Sequence, residues 1–271
     1  MIAIEVGRFL RSRQKGNVKV DRTPLDARLR RIWRLTVDNG EPFPGEPALA
    51  LRLGASRPAV REALIRLEHE GLIGKRKGSE TAVNRAALEI PARFDQQIEK
   101  AQLIEAMGRK ATLEVLESSV VRLNKEESAA FELPTGSSAL RVSKRWRADG
   151  YPVMVAIDTV PIMTAKLPPN VDIGQSLFEL VPKLGLDRPA WELAWPSATN
   201  LDATVARWLE RPKGEAVLTM ELTGVSRLGM RVYRAFEYHY PAAFRYGLIR
   251  LVPRPAKLPR AGANRTKNSH R

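Results

Sequence analysis

The sequence predicts an α+β protein with a helical part near the N-terminus and a larger part rich in β-strands. Apolar residues at helical spacing, with capping residues beside them, mark three consecutive helices between residues 24 and 69. Farther along, apolar strands flank tight turns at Asp149-Gly150 and Gly229, as in antiparallel hairpins. With 271 residues and 44% hydrophobic content, the chain is long enough to fill two cores.

The first predicted helix starts at Pro24, which loses no hydrogen bond in a first turn, and ends by Asn39-Gly40. Its inward face carries Leu25, Leu29, Ile32 and Thr36, and arginines cover the other faces. Residues 1–23 are basic and lack periodicity, so we expect a flexible arm.

Two short helices follow, joined by a tight turn at Gly54. The first is predicted over Glu46–Leu53, and the second over Arg57–His69 with Ser56 as its N-cap. Arg57 and Arg61 lie four residues apart, so they share one outward stripe near the start of the second helix. This pattern predicts a helix-turn-helix whose second helix enters the major groove of DNA.

A basic hairpin is predicted directly after Gly71. Two short apolar arms within residues 72–83 flank a tip that carries Lys75, Arg76, Lys77 and Gly78. A basic tip suits phosphates or the minor groove, so the hairpin is interpreted as a DNA-binding wing. The alternative for each signal alone is a helical hairpin with a solvated charge run.

The stretch EPALALRLGASRPAVREALIRLEHEGLI, followed by GSETAVN, resembles the winged helix-turn-helix of GntR-type bacterial transcription regulators. It departs from that pattern at Pro47, where the family usually has an arginine, and at Glu80, where it usually has a second wing glycine. The resemblance and the basic tip together imply a set of DNA-binding residues. These are Ser56, Arg57, Arg61, Lys75, Lys77, Gly78 and Thr81.

The remaining pattern alternates strands with short helices. Helices are predicted over Ala92–Met107, from the cap Asn124 to Phe131, over Gln175–Val181 and over Asp202–Glu210. Strands are predicted over Thr112–Leu123, on both sides of Asp149-Gly150, and over Ala190–Ala198, Ala216–Arg227, Val232–Tyr240 and Arg245–Val252. Hairpins separated by short helices favour an α+β domain with an antiparallel sheet.

This second part is similar to the UTRA effector-binding domain of the HutC branch of GntR regulators, through segments such as SSALRV, RWRADGYPV and SLFELV. The resemblance implies the fold of chorismate lyase. Residues 24–85 are then the winged domain, 86–109 a linker helix, 110–253 the UTRA-like domain and 254–271 a disordered basic tail.

The same resemblance implies an effector site for a small anionic metabolite. The arginines before the Asp-Gly turn in that branch correspond to Arg145 and Arg147, and a planar guanidinium pair can hold a phosphate or carboxylate. Two arginines on a solvated strand face are the alternative. The acid that this branch usually has soon after the turn aligns with Ala156, and Asp158 is a nearby substitute for it. The motif that closes the domain in the family corresponds to Tyr240 through Arg245, so Tyr240 and Arg245 complete the implied effector residues.

Composition restricts the chemistry. Residues 1–85 hold 18 Lys and Arg against 10 Asp and Glu, residues 86–253 hold 21 against 20, and residues 254–271 hold 6 against none. The positive excess therefore lies in the DNA-binding part and the tail. With no cysteine, three scattered histidines and no nucleophile elbow or phosphate loop, we expect no metal site, no cofactor and no catalytic residues. The absence of cysteines and of long apolar runs fits a cytoplasmic protein without a membrane segment.

The sequence thus predicts a ligand-responsive transcription regulator, a repressor that binds a palindromic operator as a homodimer and leaves it when a metabolite binds. Two alternatives stay open. One is a small-molecule enzyme of lyase-like fold tethered to DNA, and the other is a sequence-tolerant DNA-architectural protein.

Overall fold

The structure, a computed structural model, describes residues 24–74, 80–90, 92–163 and 167–252. These residues form two compact units, one comprising the described residues up to 87 together with 249–252, and the other residues 88–248. The expected arm, the wing tip with Lys75, Lys77 and Gly78, and the basic tail lie outside the described residues.

The first unit contains the predicted helices and the base of the predicted hairpin. Its elements are α1 (Leu25–Asn39), α2 (Glu46–Leu53), α3 (Arg57–His69), β1 (Ile73–Gly74) and β2 (Ala82–Val83), with β1 and β2 antiparallel. Gly40 and Gly54 adopt the left-handed conformation that ends α1 and α2. Pro47 lies in the first turn of α2 and so starts that helix.

The core of this unit joins all three helices to the hairpin. Trp33 of α1 donates its Nε1 hydrogen to the carbonyl of Leu72, 2.9 Å away, and so fixes the chain that enters β1. The buried side chains include Leu29, Ile32, Val37, Leu49, Leu53, Val60, Ala63, Leu64, Leu67 and Ile73.

The second unit is built on a six-stranded antiparallel sheet in the order β4-β5-β6-β9-β8-β7. The strands are β4 (Ala111–Arg122), β5 (Ser138–Ala148), β6 (Tyr151–Pro161), β7 (Pro189–Asn200), β8 (Ala216–Ser226) and β9 (Arg231–His239). The helices are α4 (Lys100–Ala106), α5 (Lys125–Ala130), α6 (Leu177–Lys183) and α7 (Ala203–Leu209). The predicted α+β fold with an antiparallel sheet is confirmed.

Helices cover the two faces of this sheet unequally. On one face, Leu103 and Ile104 of α4 pack against Met154 and Ala156, and Leu180 of α6 joins a second cluster. We call this the α4/α6 face. On the other, α7 packs on Val155 and Val217, and residues around α5 cover one corner. We call this the α5/α7 face.

The prediction of a helix over Ala92–Met107 is wrong in its first half. Ala92–Arg93 forms a short strand, β3, that pairs in parallel with β10 (Tyr246–Gly247), and the helix begins only at Lys100. Ala92 is fully buried in the sheet unit. The segment therefore packs on the second unit and is not a free-standing linker helix, and the strand expected over Arg245–Val252 is limited to β10.

Candidate nucleic-acid interface and ligand pocket

The start of α3 presents two arginines to solvent. Ser56 caps the helix by accepting a hydrogen bond from the backbone nitrogen of Ala59 at 3.3 Å. Val60 and Leu64 are buried beneath the helix, which turns Arg57 and Arg61 outward. The predicted placement of both arginines is therefore what the structure shows.

Arg61 is oriented by a residue of α2. Its Nη2 lies 2.7 Å from Oε1 of Glu46, and this hydrogen bond raises the pKa of Arg61 above its already high ordinary value. Arg57 is exposed at the same helix end. The first two turns of α3 therefore present two cationic side chains of the kind that contact phosphates and guanine edges.

The base of the wing is anchored to the helical core. The side-chain Nδ2 of Asn84 donates a hydrogen bond to the carbonyl oxygen of Gly71, 2.7 Å away. This bond closes the hairpin beside the end of α3. Thr81 is half-buried just before β2. Lys75, Lys77 and Gly78 lie outside the described residues, so their predicted contacts with DNA stay predictions.

The α4/α6 face carries a buried group of charged side chains, which we call the ionic cluster: Lys100, Lys144, Asp158, Glu237 and His239. Lys144 Nζ lies 3.0 Å from Asp158 Oδ2, and their side chains are only 1% and 4% exposed. Lys100 Nζ lies 3.0 Å from Glu237 Oε1, and Glu237 Oε2 lies 2.9 Å from His239 Nε2. Buried charges at such spacing are stable only as pairs.

The electrostatics of the cluster follow from burial and pairing. Burial alone would raise the pKa of Glu237, but Lys100 and His239 outweigh it and lower that pKa to about 2. Burial lowers the pKa of His239 and raises the pKa of Asp158. Burial would lower the pKa of Lys100, but Glu237 and then Glu192 reverse the effect, and its pKa is raised. Lys100 therefore stays charged beside the pocket described next.

A cavity of about 300 Å³ opens beside this cluster, between α4, the chain before it and the strands β7 and β8. We call it the α4 pocket. Its wall includes Arg93, Phe94, Lys100, Leu103, Glu192 and Met220. Tyr233 donates its hydroxyl hydrogen to Glu192, and burial raises the pKa of Glu192. The pocket therefore combines apolar walls with a few charged groups, as small-molecule sites do.

Arg93 is the most informative residue of this pocket. Its side chain is 9% exposed, and its Nε donates to Asp95 Oδ1 at 2.9 Å. Its Nη1 is buried without a hydrogen-bond partner among the described residues. A buried, unpaired guanidinium nitrogen costs free energy unless a ligand accepts its hydrogen bond.

The structure separates the predicted effector residues. Arg145 and Arg147 lie on the α5/α7 face, whereas Asp158 lies on the α4/α6 face, because successive strand residues point to opposite sides. Both arginines bind the carboxylates of Glu114 and Glu210 and are mostly buried. The structure therefore does not bring the arginine pair together with Asp158, whose neighbouring cation is Lys144. An effector role for Arg145, Arg147 and Asp158 stays a prediction.

The two residues of the closing motif are also apart from the α4 pocket. The guanidinium carbon of Arg211 lies 3.7 Å from the centre of the Tyr240 ring. Arg245 is exposed. Neither residue lines the α4 pocket, so an effector role for either one remains a prediction.

Sequence reasoning missed Lys100, Lys144, Glu192, Glu237, His239 and Arg93 as site residues. One signal was available, since Lys144, Glu192, Glu237 and His239 are polar residues inside apolar strand patterns, where an unpaired charge is costly. The pairing itself was hidden, because Lys100 and Glu237 are far apart in sequence.

Two features are absent from the described residues. These residues contain no group of three or more His, Cys, Asp or Glu side chains placed to hold a metal ion. Within the same ranges, no helix has the length and apolar character needed to cross a membrane.

Two family models match the chain. The model of the bacterial regulatory proteins of the gntR family matches residues 26–83, and the model of the UTRA domain matches residues 106–245, more than half of the chain. An uncharacterized HTH-type transcriptional regulator from Rhizobium meliloti is 28% identical over 133 residues, which cover 47% of this chain and 54% of that protein. The chain thus spans about half the length of this curated relative.

Solved structures share the fold. YydK from Bacillus subtilis, described as a possible transcriptional regulator, aligns with a TM-score of 0.62 at 14% identity, over 84% of this chain and 100% of the other. PhnF from Mycobacterium smegmatis aligns with a TM-score of 0.53 at 18% identity, over 85% of this chain and 100% of the other. The two family models show that the chain belongs to the gntR family of bacterial regulatory proteins, with a UTRA domain behind its helix-turn-helix.

Proposed function

We propose that this protein is a transcription repressor that binds a palindromic operator as a homodimer and is released by a small anionic metabolite. The observation that carries this proposal is the exposed pair Arg57 and Arg61 on the first two turns of α3, in a helix-turn-helix of the gntR family. Such a protein acts in the cytoplasm, where the bacterial chromosome lies.

The geometry of α3 supports sequence-specific contacts. A guanidinium can bond both acceptors of a guanine edge, and the N-terminal turn of a recognition helix reaches those edges first. One domain of this size contacts few base pairs. Two copies of the domain on half-sites about 34 Å apart contact twice as many base pairs and so multiply the specificity. For this reason we propose a palindromic operator and a homodimer.

The first experiment replaces Arg57 and Arg61 separately with alanine. Each change should weaken binding to the operator by about ten- to a hundredfold, because one bidentate base contact is lost. Thermal unfolding should not change, because both side chains are exposed. Fluorescence anisotropy with labelled operator DNA measures the affinity.

The matched control is Arg34→Ala, which removes the same charge from an exposed position on α1. Unlike the α3 variants, Arg34→Ala should retain the preference for operator over random DNA. If both α3 variants bind the operator as tightly as the natural protein does, the proposed recognition helix is wrong.

For the effector site, we propose the α4 pocket. Arg93 Nη1 supplies a buried donor without a partner, and Lys100 supplies a second cation at the pocket wall. Phe94, Leu103 and Met220 add an apolar surface. These groups fit a small ligand with one phosphate or carboxylate and an apolar body.

A ligand in this pocket can release DNA only by binding two protein conformations with different affinity. We propose that the ligand-bound conformation of the homodimer holds the two α3 helices at a spacing that no longer fits the half-sites. Because operator DNA and ligand then compete through one equilibrium, each should weaken the other by the same factor.

We infer that the UTRA domain senses its ligand and does not transform it. His239 is buried, with Nε2 bound to Glu237 and Nδ1 at 2.8 Å from the Tyr246 hydroxyl. Both ring nitrogens are therefore occupied, and the imidazole is not free to act as a general base. Recovery of a bound ligand unchanged after prolonged incubation would support a sensor, and turnover would contradict it.

A further inference from the structure

A carboxylate faces the α4 pocket from the edge strand β7. Glu192 and Ala194 are two positions apart on β7, so their side chains point to the same side of the sheet, and both line the pocket. Oε2 of Glu192 accepts the hydroxyl hydrogen of Tyr233. Among the described residues, Glu192 has no other hydrogen-bond partner. Its Oε1 is therefore left to accept a hydrogen bond from a group inside the pocket.

A glycine on the middle strand allows Tyr233 to reach this carboxylate. Glu192 of β7 pairs with Gly224 of β8, and Gly224 pairs with Tyr233 of β9. The Tyr233 ring lies over Gly224, since a Cβ atom at Gly224 would be 2.0 Å from that ring. The buried tyrosine thus crosses β8 and donates its hydrogen bond to a carboxylate two strands away. This bond holds Glu192 in one orientation at the pocket wall.

Glu192 also lacks a cation of its own, unlike the other carboxylates beside this pocket. Arg93 donates a hydrogen bond to Asp95 at 2.9 Å. Lys100 Nζ lies 3.0 Å from Oε1 of Glu237. Within the part of the chain that the structure describes, Glu192 forms no ion pair. A ligand that carries only negative charge leaves this carboxylate without a compensating charge.

The electrostatics of Glu192 favour a cationic partner. Burial raises its pKa, and the hydrogen bond from Tyr233 and the charge of Lys100 offset this rise only in part. A cation at hydrogen-bonding distance would therefore stabilise the charged carboxylate. Arg93 has the opposite requirement, because its Nη1 is a buried donor without a partner among the described residues.

We propose that the α4 pocket binds a small zwitterion, with its carboxylate or phosphate on Arg93 and its protonated amine on Glu192. The inference rests on the proposed function for the role of this pocket, and it refines the ligand from a simple anion to a zwitterion. The remaining wall suits a short hydrocarbon body, since it includes the stacked rings of Phe94 and Tyr246, with centroids 4.7 Å apart. A cavity of about 300 Å³ lies at the small end of the range for metabolite sites.

The first experiment titrates the full chain, without DNA, with sets of three compounds that share one anionic group and one carbon skeleton. The sets are phenylalanine, phenyllactate and phenylpropanoate; γ-aminobutyrate, γ-hydroxybutyrate and butyrate; and ethanolamine phosphate, ethylene glycol phosphate and ethyl phosphate. In at least one set, the amino compound should bind at least about tenfold more tightly than the other two, because it adds a charge-assisted hydrogen bond to Glu192. Calorimetry measures the dissociation constants.

The variant Glu192→Gln removes the negative charge and keeps the shape of the side chain. It should fold, because the amide oxygen still accepts the hydroxyl hydrogen of Tyr233. Its affinity for the amino compound should fall to that for the hydroxy and unsubstituted compounds, whose binding should not weaken. The control is Glu179→Gln, at an exposed position on α6 outside the pocket wall, and it should retain the natural preference.

The variant Tyr233→Phe tests whether the tyrosine positions the carboxylate. It removes only the hydroxyl group that holds Glu192. The amino compound should lose affinity several-fold, whereas the unsubstituted compound of the same set should bind as before. An equal loss for both compounds would indicate general damage to the pocket and contradict the positioning role.

The outcomes separate this proposal from the proposed function. Equal or weaker binding of the amino compound in every set, tighter binding of the hydroxy compound, or an unchanged preference in Glu192→Gln would overturn the zwitterion. If the unsubstituted anions still bind and lose their affinity in Arg93→Met, the α4 pocket remains an anion site. Release of operator DNA by a bound compound is measured separately, so its failure would contradict the repressor mechanism and leave the ligand class unaffected.

Discussion

At the scale of single residues, Arg93 carries the most specific prediction about the ligand. An unpaired buried donor such as Arg93 Nη1 destabilises a folded protein by about 1–3 kcal/mol. Arg93→Met removes this donor, so the free energy of unfolding of the ligand-free variant should equal or exceed that of the natural protein. The same change should abolish stabilisation by anionic ligands. Thermal unfolding with inorganic phosphate and with a panel of small carboxylates measures both effects.

The contrasting variant is Lys100→Met, in the same pocket. It leaves Glu237 buried without its lysine and should destabilise the protein by roughly 3–5 kcal/mol. Exposed Arg188→Met serves as a control for the loss of a positive charge. If Arg93→Met responds to the anions as the natural protein does, the anion does not bind at Arg93.

The placement of residues was predictable where it depends on local chemistry. Ser56, Arg57 and Arg61 occupy their expected places because a cap and an apolar helix face are set by neighbouring residues. The environment of Arg145 and Arg147 was not predictable in this way. Their partner Glu210 directly follows α7, more than sixty positions farther along the sequence. Nothing local in the sequence shows that the arginines are paired or that Lys144 lines the other face.

At the scale of elements, the pairing of β8 with β9 depends on Gly224. A Cβ atom at this position would lie 2.0 Å from the ring of Tyr233, the residue that bonds Glu192. Gly224→Ala should therefore reduce the free energy of unfolding by about 1–3 kcal/mol, because the ring must move out of its packed position. Urea unfolding of the purified variant measures this loss.

Gly214→Ala provides a different comparison. No atom of the described residues lies within 4 Å of a Cβ placed at Gly214, but its φ of +85° disfavours a side chain. Combining Gly224→Ala with Tyr233→Leu should recover part of the loss by removing the ring edge that meets the new methyl group. A fully stable Gly224→Ala variant would show that the two strands are less tightly packed than the structure indicates.

Element boundaries were predicted well where caps and glycines set them, as for α1, α2 and α3. The start of the helix within Ala92–Met107 was predicted wrongly, although the composition of this stretch suits a helix. Its first part pairs instead with Tyr246–Gly247, which lies about 150 residues farther along the chain. Tertiary pairing of this kind overrides local propensity.

At the scale of the whole molecule, the ionic cluster makes stability depend on pH. Burial lowers the pKa of His239 below its ordinary 6.5, so between that value and the lowered pKa the unfolded chain binds a proton that the folded chain does not. Stability should therefore fall as pH drops below about 6.5, by at most about 1.4 kcal/mol per pH unit from this residue. The raised pKa values of Asp158 and Glu192 act in the opposite direction at lower pH.

The variant His239→Gln isolates this contribution. Its free energy of unfolding, measured by urea titration over the same pH range, should vary less steeply below pH 6.5 than that of the natural protein. His69→Gln, at an exposed position on α3, should retain the natural slope. Equal slopes for His239→Gln and the natural protein would contradict a buried neutral histidine.

The division into a helical unit and a sheet unit followed from composition and periodicity, but the order of the six strands did not. Hairpins predicted neighbours such as β5 with β6 and β8 with β9. The pairing of β6 with β9 joins segments about eighty residues apart in the sequence. It places Asp158 and Glu237 on neighbouring strands, where they form ion pairs with Lys144 and Lys100. The pocket is therefore a product of topology.

The measurement that tests the central claim most directly is footprinting of the purified protein on genomic DNA from its own source, at physiological salt. A repressor with two α3 helices about 34 Å apart predicts discrete protected sites, each an inverted repeat with half-sites one helical turn apart. Addition of a ligand that binds the α4 pocket should remove that protection. Uniform protection without preferred sites would contradict the account and favour a DNA-architectural protein.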